Sequence, residues 1–270
     1  MTQDLEIVSS LEQITRAEID IQIATAKRYP RCLSKVRENV LTLATMDEET
    51  AAACFYSIPR AGKDITGESV RLAEILASSY GHLRAAWRCI NVDRNQGTVT
   101  CQGVCHDLEN NVSSSIEKSR QIQKRRGAEK YDEDMVNLAI NACGSIAYRD
   151  AVFKVVPKAL IKPILSQIKD AARGKGTMEQ RVKRVMDRLI EMLAEAGVKQ
   201  AEATRRILAT VECAKVDDIN LTKLDTLIGI GTAIKDGEIR IADAFPANVQ
   251  TKQPDPFAQT ETTTTTEEEK

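Results

Sequence analysis

The chain is poor in several residue types, and each shortage removes a class of function. It has two histidines, His82 and His106, among 270 residues. Neither has a Ser or Cys in an elbow motif to pair with, so a His-dependent nucleophilic enzyme is not expected. Aromatic residues make up 4% of the chain, few for a protein that would stack every base of a bound strand. Of the candidates, Phe55, Tyr56, Trp87, Tyr131, Tyr148 and Phe153, most stand at positions suited to core packing. No run of 18 apolar residues occurs, and the opening MTQDLEIVSS has neither a basic nor an apolar leader region. A membrane span and secretion are therefore not expected, and the expected compartment is the cytoplasm. Seven cysteines form an odd, scattered set, which suits free thiols in a reducing environment rather than a disulfide framework. Cys101, Cys105 and His106 lack a second ligand pair at zinc-site spacing, so they read as strand residues and no metal site is expected.

Nucleotide chemistry is absent in the same way. RAGKDIT contains a Gly-Lys pair, but Asp64 stands where a phosphate-binding loop needs Ser or Thr, and the upstream glycine is missing. GIGTAIKDG has the wrong glycine spacing for a dinucleotide fingerprint and lies in a helical pattern with no strand before it. No cofactor and no reaction centre are expected.

Net charge is also nearly absent, at −1, yet its distribution is uneven. Residues 58–176 hold 19 Lys or Arg against 13 Asp or Glu, an excess of six, so the flanks carry a deficit of seven. A basic centre between acidic flanks suits a module that binds a polyanion such as nucleic acid.

Hydrophobic periodicity organises the chain into an α+β protein. Residues 1–54 read as a helical N-terminal region, with Ile7, Leu11, Ile14, Ile21 and Ile23 near helical spacing, a break at Pro30, and a short third helix capped by Asp47. Residues 55–173 read as a central core. FYSIPRAGKDITG forms a hairpin, ESVRLAEILASSYG an amphipathic helix ending at Gly81, and three period-two segments follow with short turns. Short turns between sequential strands require an antiparallel meander, because parallel strands need long crossovers. The loop KRRGAEKYDED then leads to a long helix through NLAINACGSIAYRDAVFKVVP, capped by Asp132 or Asp134 and closed near Pro157. After the glycines of ARGKGT, residues 177–245 form a small C-terminal three-helix unit. Residues 246–270, rich in Pro, Thr and Glu, lack the apolar surface needed to order themselves and make a disordered acidic tail.

With no chemistry in sight, the basic positions carry the functional expectation. Lys118 and Arg120 alternate along the third strand of the meander, Lys124, Arg125 and Arg126 crowd the next loop, and Arg149, Lys154 and Lys158 mark the end of the long helix. Cations on strand, loop and helix end would form a groove able to follow a phosphate backbone with little sequence preference. Arg60 and Lys63 at the hairpin tip are weaker candidates.

The segments IPRAGKDITGESVRLAEILASSYGHLRAAW and NLAINACGSIAYRDAVFKVVP, within residues 55–165, resemble the RecT/Redβ/Erf single-strand annealing proteins of bacteriophages. The resemblance is one of topology and loose pattern. It implies ATP-independent binding and annealing of single-stranded DNA in phage homologous recombination, inside the bacterial host, with self-assembly into rings or filaments. It also implies that the C-terminal helical unit meets a phage exonuclease or the host single-strand binding protein. Arg60, Lys63, Lys118, Arg120, Lys124, Arg125, Arg126, Arg149, Lys154 and Lys158 are the DNA-contacting positions it implies. Two alternatives remain: a metal-dependent nuclease using Asp107, Glu109 and the acidic run at 132–134, and a non-enzymatic structural or adaptor protein.

Overall fold

The computed structural model describes residues 2–60, 64–123 and 131–247, apart from the side chains of residues 2–12 and 14. The tail beyond residue 247 lies outside the described residues. The helical N-terminal region comprises α1 (Thr2–Arg28), α2 (Leu33–Ala44) and α3 (Glu48–Ala52). Asp47 caps α3 by accepting a bond from the Thr50 amide at 2.7 Å, which satisfies one of the donors a helix start leaves open. The hairpin is β1 (Phe55–Ile58) with β2 (Ile65–Glu68), followed by α4 (Val70–Tyr80).

The meander comprises β3 (Leu83–Asp93), β4 (Thr98–Asp107) and β5 (Val112–Gln121), ordered β3-β4-β5 and antiparallel throughout. Its turns are built by side chains: the Asp93 carboxylate accepts from the amides of Asn95 and Gln96, both at 2.9 Å, and Asn111 adopts the left-handed conformation that Asn tolerates.

Helix α5 (Glu133–Val155) covers one face of this sheet. The stripe it lays on the strands, Val136, Ala139, Cys143, Gly144, Ala147 and Ala151, is made of small residues. The facing β4 positions, Val99, Cys101, Gly103 and Cys105, are small as well and fully covered, so helix and sheet approach closely. A Cβ on Gly103 would stand 2.1 Å from the Ala147 carbonyl oxygen, and one on Gly144 would stand 2.1 Å from the Trp87 indole. The opposite face of the sheet is polar, as expected of an antiparallel sheet covered on one side only.

Beyond Pro157 the chain enters α6 (Lys158–Ala172), a helix absent from the sequence expectation. Its buried stripe, Ile161, Ile164, Ile168 and Ala172, has helical spacing, but Pro163 inside it removes a helix donor and obscures the pattern. The C-terminal unit follows as α7 (Met178–Glu195), α8 (Gln200–Thr210), α9 (Leu221–Lys235) and α10 (Ile241–Ala244). Its buried residues join the same apolar cluster as α2, α4 and α6. The ARGKGT stretch is a turn held in place: the Arg173 guanidinium grips both oxygens of Asp225 on α9 at 2.8 and 2.9 Å, and Arg184 donates to the Lys175 carbonyl at 2.9 Å. Helix α9 lies against β1, with Gly229 where any side chain would strike the Ser57 amide at 2.7 Å. Among the described residues no helix is long and apolar enough to cross a membrane.

Candidate nucleic-acid interface

Three of the expected cations converge where β5, α5 and the turn after α9 meet. Lys118 and Arg120 stand two residues apart on β5, opposite the covered Cys101 and Val99, so both lie on the helix-facing side. Lys118 pairs with Asp150 of α5 at 2.8 Å. Arg120 donates to the carbonyl of Gly237, and Arg149 pairs with Glu238 and with Asp150, the latter at 3.0 Å.

The turn receiving them is a helix stop of defined geometry. Gly237 has φ 68°, its amide bonds the Ile234 carbonyl at 3.0 Å, and the Glu238 amide reaches the Ala233 carbonyl at 2.9 Å. These two bonds close α9 with a left-handed glycine cap, which aims the Gly237 carbonyl and the Glu238 carboxylate at the two arginines.

Arg149 therefore needs a correction. It is 8% exposed and lies 4.7 Å from the centre of the Tyr56 ring, not at a groove rim. Burial pulls its pKa down, but Glu238, Tyr56 and Asp150 together outweigh this and hold it above the usual arginine value. Burial pushes the Glu238 carboxyl up, with Arg149 opposing. Breaking such a buried pair costs about 3–5 kcal/mol, so Arg149 is committed to the fold.

The other expected positions do not join it. Lys154 is exposed, but five residues along a helix rotate its side chain by about 140° from that of Arg149. Lys158 is exposed and opens α6, and Arg60 is exposed beyond the end of β1. Lys63, Lys124, Arg125 and Arg126 lie outside the described residues.

What the convergence does border is a groove of about 340 Å³. Arg71 of α4, Arg120 of β5, Lys235 of α9 and Arg240, the residue before α10, rim it, together with Glu74, Asp236 and Glu238. Its floor is the outer side of α5, with Met135, Ala142 and Leu138, the last 60% exposed. Three of the rim cations form ion pairs with exposed carboxylates: Arg71 with Glu74 at 2.9 Å, Lys235 with Glu49 at 3.1 Å, and Arg240 with Asp243 at 2.6 Å. Exposed pairs contribute roughly 0–1 kcal/mol, so these cations are held to their carboxylates only weakly. Asp236 holds one oxygen that is buried and unbonded among the described residues. Its pKa is raised, first by burial and next against the opposing pull of Arg71.

Sequence reasoning missed Arg71, Lys235 and Arg240 because they are dispersed along 170 residues. The one available signal was the KDGE turn, whose glycine marks a helix stop and hence a point where the chain reverses onto the core.

The carboxylates of the nuclease alternative are otherwise engaged. Arg31, in the link between α1 and α2, donates to Asp107 at 2.9 Å and to Glu109 at 2.8 Å, and lies 4.1 Å from the Tyr80 ring centre. The Asp107 and Arg31 side chains are 3% and 6% exposed. Burial pushes the Asp107 carboxyl up, but Arg31 and Asn110 overcome this and hold it below the ordinary range. Asp132 caps α5 by accepting from the Asp134 amide at 3.1 Å. Among the described residues no group of three or more His, Cys, Asp or Glu has the arrangement of a metal site.

No family model, curated protein or solved structure matches this chain.

Proposed function

We propose that the chain binds single-stranded DNA along the groove between α4, α5, β5 and the α9–α10 turn, and anneals complementary strands without nucleotide hydrolysis. The observation that carries this reading is the meeting of Arg71, Arg120, Lys235 and Arg240, from four separate parts of the fold, around an apolar floor. A single strand has the matching chemistry, with phosphates for the rim and the faces of sugars and bases for the floor. Since contacts are made to phosphate rather than to base edges, sequence preference is low and bases stay available for pairing. The annealing step itself rests on the resemblance to the phage proteins.

The same resemblance extends the proposal to assembly into rings or filaments and to contact with an exonuclease or single-strand binding protein through α7–α10. For assembly there is support in α1. Among its described side chains only Ala26 is buried, and Ile21 is 66% exposed. Many subunits on one strand convert later contacts into intramolecular ones, so a groove of modest charge suffices.

Fluorescence anisotropy with a labelled oligonucleotide, at two salt concentrations and without ATP, tests the reading. Four neutralised phosphates give a slope of log K against log salt of about −3 on single strands. Binding indifferent to salt, or binding without annealing of a complementary strand, overturns it.

A further inference from the structure

Between the sheet and α5, away from the groove, three cysteines gather. Cys89 of β3 and Cys101 of β4 are direct cross-strand partners, and Cys143 of α5 completes the group from the helix side, donating to the carbonyl of Lys118, the residue paired with Cys101 on β5. That bond is 3.1 Å long, and Cys101 reaches toward the Ile140 carbonyl at 3.6 Å. The cluster thus spans the helix–sheet interface. Only Cys89 has a path to solvent, being half-buried where the other two are covered.

We propose that Cys89 and Cys101 form a peroxide-responsive disulfide that staples β3 to β4 beneath α5. Directly opposed residues of antiparallel strands have Cα atoms about 4.5–5.5 Å apart, inside the roughly 4.4–6.8 Å window that a disulfide spans. The register shift between Cys89 and Asn91 places a bulge beside the pair, and the ladder is locally interrupted at a bulge. Closure therefore has room to adjust β3 without unpicking the sheet.

The chemistry runs in two balanced steps. A hydroperoxide oxidises the solvent-reached Cys89 thiol to a sulfenic acid, and the peroxide's other oxygen leaves as water. The Cys101 sulfur then attacks the Cys89 sulfur. The S–S bond forms, the S–OH bond breaks, and the departing hydroxide takes the Cys101 proton to leave as water. Two thiols lose two electrons and hydrogen peroxide becomes two waters. Burial, and then the neighbouring Cys143 and Cys89, push the Cys101 thiol up, so closure accelerates as pH rises.

The test uses the full chain, hydrogen peroxide, an alkylating quench and a non-reducing tryptic digest read by mass spectrometry. Peptide 89–94 is expected joined to peptide 95–118, with fragmentation placing the bond at Cys101 rather than Cys105. Cys54 and Cys105, lone buried thiols pushed up to about 12 and about 11, are expected to stay reduced. In Cys101→Ser the sulfenic acid on Cys89 is expected to persist and to be trapped by dimedone. The proposal is overturned if Cys89 is alkylated in full after peroxide, or if it is recovered joined to Cys32 or Cys213 of another molecule. It also fails if Cys101→Ser leaves no trappable sulfenic acid.

Discussion

Gly103 on β4 sits directly beneath the Ala147 carbonyl of α5, whose oxygen lies 2.1 Å from where a Cβ at position 103 would stand. That oxygen belongs to a helix backbone and cannot swing aside as a side-chain tip would. Gly103→Ala is expected to lift α5 and destabilise the protein by about 1–3 kcal/mol, read as a lower urea midpoint. Gly144→Ala drives a methyl into Trp87 instead. Because Trp87 is the only tryptophan, that variant is expected to change the intrinsic fluorescence spectrum of the native state, and Gly103→Ala to change it less.

Arg31 and Asp107 give a second prediction. Removing one partner of a buried pair leaves the other charge uncompensated, at about 3–5 kcal/mol, so Arg31→Ala is expected to lose roughly that much stability. The pH dependence follows from the depressed Asp107 carboxyl. Its contribution is complete above the ordinary carboxyl pKa and is lost as pH falls through the lower, folded value. Asp107→Asn is therefore expected to cost stability at neutral pH and to flatten the acid limb of the urea midpoint against pH.

Asp236 has the opposite sign. Burial raises its carboxyl pKa, so its favourable contribution belongs to the protonated form, complete below the ordinary value and lost as pH rises through the raised one. Asp236→Asn is expected to match the parent near pH 3 and to gain on it toward pH 7. A difference that stays constant over that range refutes the assignment.

The distinction between exposed and buried cations predicts how charge variants divide. Arg71→Glu and Arg240→Glu are expected to make the salt slope of oligonucleotide binding shallower by about 0.7 each, with the urea midpoint little changed. Arg149→Ala is expected to lower stability and leave the slope alone. The reverse division would mean that the strand follows a different path.

The legible parts of this fold were those fixed by local pattern. Asp47 and Asp132 announce helix starts because capping needs only a few residues. The alternation in HLRAAWRCINVD and TVTCQGVCHDLE announces strands because one face is covered. Helix α6 escaped because Pro163 speaks against the pattern of Ile161, Ile164 and Ile168 around it. The site was harder for a different reason. A basic residue reads the same in sequence whether a carboxylate meets it or not, and of the two carboxylates that meet Arg149 the more buried, Glu238, is 89 residues away. Small residues on α5 were visible, but that they bring the helix onto β4 depends on Gly103, whose partner is known only in three dimensions.

The bond from the Thr232 hydroxyl to the Ala52 carbonyl, 2.8 Å long, joins positions 180 residues apart. At about 5–20 residues per second of synthesis, roughly 10–40 s separate the emergence of its two ends. Throughout that interval the first hairpin waits on the ribosome without the helix that shelters its backbone. The native packing of the hairpin is thus completed only after α9 has been made, and a chaperone that covers its exposed face would act in that window.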